Sequence, residues 1–192
     1  MGISKARTAL ATGILQFDGS KPKLEMVKVI FRQEPPSTGG RHFGSRIVFN
    51  KSGMLFLTLG DRGNRLRVQE LSNHFGKVIR INRDGSIPKD NPFVWQSGAL
   101  PEIWSFGHRN PQGAAMRLSD DAYFTISHGA AGGDEINRSQ PGKNFGWPEV
   151  SHGTHYSGQP FPAAERSDVI SPLYYWDPSI APSGAAFYDG DL

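Results

Sequence analysis

A pattern of strand, turn and strand recurs along this chain and constrains its fold more than any other feature. Residues 47–58 place short apolar runs on either side of a Lys-Ser-Gly turn, and residues 115–126 repeat the pattern 68 residues later. The sequence Gly-Ala-Ala-Met at 113–116 then recurs as Gly-Ala-Ala-Phe at 184–187. Repeated hairpins with irregular insertions predict the blades of a β-propeller, each with about four strands, which bury their faces only against neighbouring blades.

The rest of the chain also predicts strands, with almost no helix. It has 23 Gly and 14 Pro among 192 residues, which favours many turns and few long helices. One helical turn is conceivable around residues 68–74, where a plain loop fits equally well. The fold class is therefore all-β, and the predicted strands are residues 24–31, 46–49, 55–59, 78–81, 103–106, 114–116, 123–126, 173–176 and 185–188.

The spacing of the repeats predicts an incomplete propeller. The third repeat begins at residue 184, so the chain holds about three blades' worth of sequence. We expect the C-terminus to fall inside a blade and to leave an open edge of unpaired strand groups. Residues 1–192 are accordingly interpreted as one partial β-propeller domain.

Composition excludes several classes of function. The net charge is only +3 and the basic residues are scattered, which does not favour a nucleic-acid partner. No apolar run approaches the roughly 18 residues of a membrane-spanning helix, so no membrane insertion is expected. The first 16 residues lack the apolar core of a secretory signal peptide. The absence of cysteine rules out disulfides and thiolate catalysis.

The densest group of polar residues follows the predicted strand 103–106. The loop after it carries His108, Arg109, Asn110 and Gln112. Loops at strand ends of a rigid β scaffold commonly carry binding and catalytic residues, which makes this loop a candidate ligand platform. The same residues also suit a solvated turn.

Five stretches of the chain together resemble one protein family. They are residues 40–49 with 59–63, residues 76–93, the Gly-His-Arg-Asn-Pro-Gln-Gly motif at 107–113, residues 132–137 with the Gly-Lys-Asn-Phe-Gly-Trp-Pro motif at 142–148, and residues 174–184. In this order and spacing they resemble the soluble aldose sugar dehydrogenases of the glucose/sorbosone dehydrogenase family. These are six-bladed β-propellers that use pyrroloquinoline quinone (PQQ) and calcium. The resemblance covers about residues 24–192.

The resemblance implies a catalytic base and its partner. His42 matches the base of the family, and Asp61 matches the carboxylate that orients it. Oxidation of a cyclic hemiacetal needs a base for the hydroxyl proton, and an imidazole held by a carboxylate suits that task. Without the resemblance, His42 would be read as a loop histidine in a Gly-rich turn and Asp61 as a turn residue.

Arg109 and Asn110 match the residues of the family that contact the cofactor. A guanidinium can fork onto the carboxylates of PQQ and stabilise negative charge that develops on the quinone oxygen, which gives Arg109 a catalytic role as well. Gln112 and His108 are expected to support the loop.

The resemblance places main-chain calcium ligands at Gly129 and Ala130. The family usually has Glu-His-Gly-Pro where this chain has Ser127-His-Gly-Ala, so a carboxylate and a proline are missing here. Carbonyl oxygens suit a hard cation such as Ca²⁺. Asp134 and Glu135 are an alternative source of oxygen ligands, although both also suit a surface turn.

Four further residues match the cofactor and sugar pocket of the family: Tyr174, Trp176, Asp177 and Ser179. Aromatic faces suit both a flat quinone and the C–H face of a sugar. The alternative for Tyr175 and Trp176 is an aromatic cluster in the core of the propeller. Trp147 and Lys77 are expected to be structural.

The resemblance predicts an oxidoreductase that converts the anomeric C–OH of aldose sugars to lactones, with hydride transfer to PQQ and onward transfer of electrons to an external acceptor. It also predicts a periplasmic or secreted location. Some cofactor-binding lysine and arginine residues of the family would lie outside residues 1–192. Two alternatives remain: a non-catalytic β-propeller binding module, and a truncated product without activity. The sugar and the oligomeric state stay open.

Overall fold

The computed structural model describes residues 4–19, 21–188 and 190–191, and it is built from β-strands. Ten strands were assigned: β1 Ala9–Phe17, β2 Pro22–Arg32, β3 Gly44–Phe49, β4 Leu55–Leu59, β5 Lys77–Ile81, β6 Ile103–Phe106, β7 Pro111–Arg117, β8 Ala122–Ser127, β9 Asp134–Ser139 and β10 Tyr174–Trp176. Within the described ranges the only helical segment is a 3₁₀ turn at Arg65–Arg67. The all-β prediction is confirmed.

Three antiparallel sheets follow one another along the chain. Strands β1 and β2 form a hairpin, and β3-β4-β5-β6 and β7-β8-β9-β10 each form a four-stranded meander. The two meanders have the same strand order, which confirms the repeat seen in the sequence. Their first strands, β3 and β7, lie against each other. The result is a row of consecutive blades with the loops before β3 and β7 at a common rim.

Strand β4 is buried along its whole length because sheets cover both of its faces. Leu55, Leu57 and Leu59 pack on one face against Leu10 and Phe31 of the β1–β2 hairpin. This apolar layer fixes the hairpin on the first four-stranded sheet.

The other face of β4 packs against the second four-stranded sheet. Phe56 stacks on Tyr123 of β8 with ring centroids 4.8 Å apart, and it meets Trp104 of β6 edge-on at 5.2 Å. Met116 of β7 belongs to the same cluster. Successive side chains of β4 point to opposite faces, so this one strand joins its own sheet to the β1–β2 hairpin and to the second four-stranded sheet.

Two details of the strand prediction were wrong. Residues 185–188 form no assigned strand, although Phe187 packs edge-on against Phe124 at 5.1 Å. Within the described part of the chain, no neighbouring strand offers this segment a ladder of hydrogen bonds. Strands β1 and β9 were missed. The inward-facing residues of β9 are polar, so the strand has no apolar alternation to detect.

The single helical turn also lies elsewhere. The 3₁₀ turn is at Arg65–Arg67, and residues 68–74 form successive turns and bends. Val68 and Phe75 at the ends of that segment are buried in a small apolar cluster with Trp147 and Phe161. Burial of these two side chains holds the loop down without a helix.

We expect Leu57→Ala to lower the free energy of unfolding by about 2–5 kcal/mol, because Leu57 is 1% exposed between two sheets and its loss leaves a cavity. The matched control is Leu66→Ala, since Leu66 is 84% exposed, and its effect should stay within about 0.5 kcal/mol. Urea denaturation followed by tryptophan fluorescence measures both. Equal effects of the two substitutions would contradict the packing described for β4.

Candidate active site

The loops at one rim of the two meanders bring the principal candidate residues together. His42 lies just before β3, Asp61 follows β4, and Arg109 and Asn110 lie just before β7. The backbone N–H of Asp61 donates to the carbonyl of Arg109 at 2.8 Å. Residues far apart in sequence thus meet because neighbouring antiparallel strands begin and end at the same edge.

His42 and Asp61 form a direct hydrogen bond. Nδ1 of His42 lies 2.7 Å from Oδ1 of Asp61, and the Asp61 side chain is 2% exposed. Burial acts to raise the pKa of Asp61, but the hydrogen bonds from His42, Gly63 and Trp147 outweigh it and hold that pKa below its ordinary value. An ionised carboxylate only accepts, so Nδ1 carries the proton and Nε2 is left as the basic nitrogen.

Trp147 also binds the carboxylate, a contact that sequence reasoning missed. Its Nε1–H donates to Oδ2 of Asp61 at 2.9 Å. The Phe-Gly-Trp-Pro motif placed Trp147 close to functional segments, but nothing in the sequence indicated a partner 86 residues away. The side chain is therefore part of the site as well as part of the apolar cluster beneath it.

A buried arginine supports the loop that carries His42. Nη1 of Arg62 donates to the carbonyl of Arg41 at 2.9 Å, Nη2 donates to that of Gly39, and the guanidinium lies 3.3 Å from the ring centroid of Phe43. His42 itself has a φ of +54°, in the left-handed region. Backbone contacts on both sides thus hold an uncommon conformation at the candidate base.

Gly60 allows the close approach of the two loops. A Cβ atom on Gly60 would overlap the carbonyl group of His42. Any side chain at this position would push the His42 loop away from β4. The glycine before Asp61 is therefore a steric requirement of the His42–Asp61 contact.

The Arg109 guanidinium is buried but contacts only neutral groups. Nη1 donates to the carbonyl of His128 at 3.2 Å, Nη2 donates to the hydroxyl of Tyr156 at 3.0 Å, and the Trp147 ring centroid lies 5.3 Å from Cζ. Its Nε has no partner among the described residues. No described carboxylate forms an ion pair with it. Its positive charge is therefore not balanced by any described carboxylate.

Asn110 holds the rim together on one side. Its Oδ1 accepts the N–H of Gly44 at 3.3 Å, and its backbone N–H donates to Oγ of Ser127 at 3.2 Å.

His108 is buried in the core, where it stacks on Phe145 at 4.7 Å and its Nε2 lies 2.9 Å from Oγ of Ser105. Burial, with a smaller effect of Lys77, lowers the pKa of His108 to about 3, so the ring is neutral.

Two adjoining clefts contain most of the candidate residues. The first cleft, of about 340 Å³, is lined by His42, Asp61, Arg109, Trp147 and Tyr156, with Arg41 and Arg65 at its side. The second cleft, of about 620 Å³, shares His42 and Arg109 with the first and adds Asn110, Gln112, Gly129 and Ser179. Ala130 lines both. The base and the unpaired guanidinium therefore open into the same space.

The Gly129–Ala130 loop is fixed by a buried aspartate. Oδ1 of Asp134 accepts the N–H of Gly129 at 2.8 Å, while Oδ2 accepts Oγ–H of Ser179 and the N–H groups of Ile180 and Ala181 at 2.7–2.8 Å. Of the two interpretations left open for Asp134, the surface turn is excluded, because the residue begins β9 and is fully buried. Four donors occupy its oxygens, so Asp134 is not free to bind a metal ion.

The acidic side chains form no metal cage here. Among the described residues, no group of three or more His, Asp or Glu side chains is placed to hold a metal ion. Any cation at this loop would depend on main-chain oxygens such as those of Gly129 and Ala130.

The remaining pocket residues are divided between two places. Ser179 lines the second cleft, whereas Tyr174, Trp176 and Asp177 line a third cleft of about 710 Å³ that none of the other candidates shares. Tyr175 stacks on His152 at 4.1 Å and is 45% exposed, so it does not belong to a buried aromatic core. Tyr174, Trp176 and Asp177 are therefore separated from His42, which lines the first and second clefts.

Lys77 is a buried structural cation. Its ammonium group donates to the carbonyls of Val68 and Phe75 at 2.7 Å, and burial lowers its pKa to about 7. These bonds tie the start of β5 to the loop that follows the 3₁₀ turn.

A comparison with protein families places the chain. The family model described as glucose / sorbosone dehydrogenase matches residues 2–192. The chain belongs to this family. It is 46% identical over 190 residues to aldose sugar dehydrogenase YliI of Escherichia coli K12. The aligned residues make up 97% of this chain and 51% of that protein.

Solved structures agree with this assignment. The soluble aldose sugar dehydrogenase of Escherichia coli in its apo form matches with a TM-score of 0.92 and 44% identity, over 97% of this chain and 54% of that one. The PQQ-bound aldose sugar dehydrogenase of Streptomyces coelicolor matches with a TM-score of 0.71 and 31% identity. This match covers 90% of this chain and 48% of that one. The prediction of an incomplete β-propeller is confirmed.

The chain spans about half the length of the curated relatives it matches. Glucose/sorbosone dehydrogenases are sugar oxidoreductases, and this chain supplies one part of such a propeller. Among the helices of the described ranges, none is long and apolar enough to cross a membrane.

We expect Asp134→Asn to lower the free energy of unfolding by about 1–3 kcal/mol at pH 7, because an amide at this buried position cannot accept hydrogen bonds from all four donors. Burial acts to raise the pKa of Asp134, but those hydrogen bonds hold it below the ordinary value. The pKa of Asp134 is lower in the folded protein than in the unfolded chain, where it is about 3.9. The ionised carboxylate therefore stabilises the folded protein above about pH 4, and this contribution is lost as the pH falls. The free energies of unfolding of the native protein and the variant should therefore differ less below about pH 4 than at pH 7.

Urea denaturation between pH 3 and pH 8 measures this effect. The matched control is Asp191→Asn, because Asp191 is exposed near the C-terminus. A constant difference across the pH range, or an equal effect in the control, would contradict the role assigned to Asp134.

Proposed function

We propose that this chain carries the sugar-oxidising half of a PQQ-dependent aldose dehydrogenase. One observation supports this above all: the His42–Asp61 pair and the unpaired Arg109 guanidinium open into the same cleft. A base and a charge-stabilising group must face a common space if a proton and a hydride are to leave one carbon of the sugar.

The residues of the second cleft fit PQQ chemically. PQQ is a planar quinone with several carboxylates, and Arg109 lines this cleft with no acidic partner among the described residues. Guanidinium groups bind carboxylates in a bidentate manner. We assign Arg109 and Asn110 to the cofactor, with Ser179 at the edge of the same cleft. When bound, PQQ would accept the hydride from the anomeric carbon.

His42 would act on the sugar hydroxyl. With Nδ1–H held by Asp61, the lone pair on Nε2 can take the proton of the anomeric C–OH as the C–H bond breaks, which leaves the lactone carbonyl. Asp61 then stabilises the imidazolium. Arg109 would stabilise the negative charge that develops nearby.

The calcium proposal depends on main-chain oxygens. Gly129 and Ala130 would present their carbonyls from a loop that Asp134 fixes in place. Carbonyl ligands suit Ca²⁺, and the missing carboxylate at Ser127 predicts weak binding. We extend the proposal to an aldose substrate, an external electron acceptor and a periplasmic or secreted location. Tyr174, Trp176 and Asp177 would contribute only after a rearrangement that joins the third cleft to the others.

We expect the purified chain, supplied with PQQ and calcium, to reduce an artificial electron acceptor when glucose or arabinose is added. His42→Ala should lower kcat about 10²–10⁴-fold, because it removes the base. The thermal stabilisation of this variant by PQQ with calcium should persist, since His42 is not assigned to cofactor binding. Activity without added PQQ, or full activity of the variant, would rule out this mechanism. Carbohydrate binding that survives His42→Ala without any turnover would support the binding-module alternative.

We expect Arg109→Gln to weaken PQQ binding about 10–100-fold, the equivalent of one charge-assisted contact of roughly 1.5–3 kcal/mol. Calorimetric titration with PQQ and calcium measures the dissociation constant. Arg83→Gln is the matched control, because Arg83 lies outside the clefts, over Phe49. Equal affinity in the two variants would count against the assigned role of Arg109.

A further inference from the structure

The carboxylate of Asp61 uses its two oxygens for different partners. Oδ1 accepts hydrogen bonds from Nδ1 of His42 and from the N–H of Gly63, both at 2.7 Å. Oδ2 accepts the indole N–H of Trp147 at 2.9 Å. Trp147 is the one side chain in the described structure that holds the oxygen facing away from His42.

The indole is itself firmly placed. The backbone N–H of Trp147 donates to the carbonyl of Gly107 at 3.0 Å, and its own carbonyl accepts Nε2–H of Gln69 at 2.7 Å. The ring meets Phe161 edge-on at 5.1 Å and is 7% exposed. The two backbone hydrogen bonds and the contact with Phe161 leave the indole N–H little freedom to point elsewhere.

We propose that Trp147 is a positioning residue for the candidate base, acting on His42 through Oδ2 of Asp61. The effect on turnover depends on the proposed function, whereas the effect on the His42–Asp61 pair does not. The same ring lies under the Arg109 guanidinium, so one side chain supports both walls of the first cleft.

The N–H of Trp147 withdraws negative charge from the carboxylate. Without it, Oδ2 would be buried with no donor, and the charge on Asp61 would be balanced by His42 and Gly63 alone. His42 would then keep its second proton to higher pH, so a smaller fraction of the imidazole would be free to act as a base near neutral pH. The other charged and titratable groups near the pair are Arg41, Arg62, Arg65, Arg109 and His155, and none of them changes in this comparison.

The shape of the indole can be kept while its donor is removed. Replacement of Trp147 by 3-benzothienylalanine puts sulfur in place of the N–H with almost the same ring, and Trp147→Phe is the simpler genetic variant. Trp104→Phe is the matched control. Nε1 of Trp104 has no hydrogen-bond partner among the described residues, although its ring packs in the core.

The experiment is an NMR titration of the His42 ring in protein labelled with ¹⁵N-histidine. We expect the midpoint for His42 to rise by about 0.5–1 pH unit in both Trp147 variants and to stay unchanged in Trp104→Phe. An unchanged or lower midpoint with 3-benzothienylalanine would overturn the proposal. If Trp147→Phe does not fold cooperatively, the benzothienyl variant alone decides.

Turnover gives an independent readout. If the chain oxidises aldoses, the acid limb of its kcat/KM profile should move to higher pH in the Trp147 variants, while a purely structural role would lower activity without moving that limb. A shifted titration without any turnover would retain the positioning role and reject the proposed function. Turnover without a shift in the His42 titration would support the proposed function and reject the positioning role of Trp147.

Discussion

The candidate site depends on one buried charge, the carboxylate of Asp61. A carboxylate that is 2% exposed is costly unless its oxygens accept strong hydrogen bonds, and here three donors meet that requirement. Each donor comes from a different part of the chain: His42 from the loop before β3, Gly63 from the turn after β4 and Trp147 from the loop after β9. Satisfying this charge therefore forces three segments to one place, and the imidazole is oriented as part of the same arrangement.

The blades make this arrangement rigid. Strand β4 ends directly before Gly60 and Asp61, and its side chains are clamped between the β1–β2 hairpin on one face and β7 and β8 on the other. The carboxylate thus follows directly after a strand that is buried along its whole length. The candidate base is on a loop, but Arg62 and the carboxylate hold that loop against β4. Precision at the rim comes from packing in the core of the blades.

The sequence alone predicted most of the blade pattern, because β3 and β4 are repeated as β7 and β8 and because β5 and β6 carry short apolar runs. It missed β9, whose buried side chains, Asp134, Asn137 and Ser139, are polar and find partners only in the folded chain. The pair of His42 and Asp61 could be proposed from a family resemblance, and the two side chains are in contact in the structure. The bond from Trp147 to Asp61 could not, since it joins positions 86 residues apart with no pattern to connect them. The division of Tyr174, Trp176 and Asp177 from Ser179 depends on loop geometry, which local sequence does not encode.

The two buried aspartates also explain the electrostatic character of the clefts. Asp61 and Asp134 both lie among the candidate residues, yet backbone and neutral side-chain donors, together with His42, occupy their oxygens. Neither is left to pair with a guanidinium. Arg109 consequently remains buried against Trp147 and Tyr156 without a counter-ion among the described residues, with Arg41 and Arg65 beside it. We therefore expect this cleft to favour a ligand that brings its own negative charge, as the carboxylated quinone proposed above would.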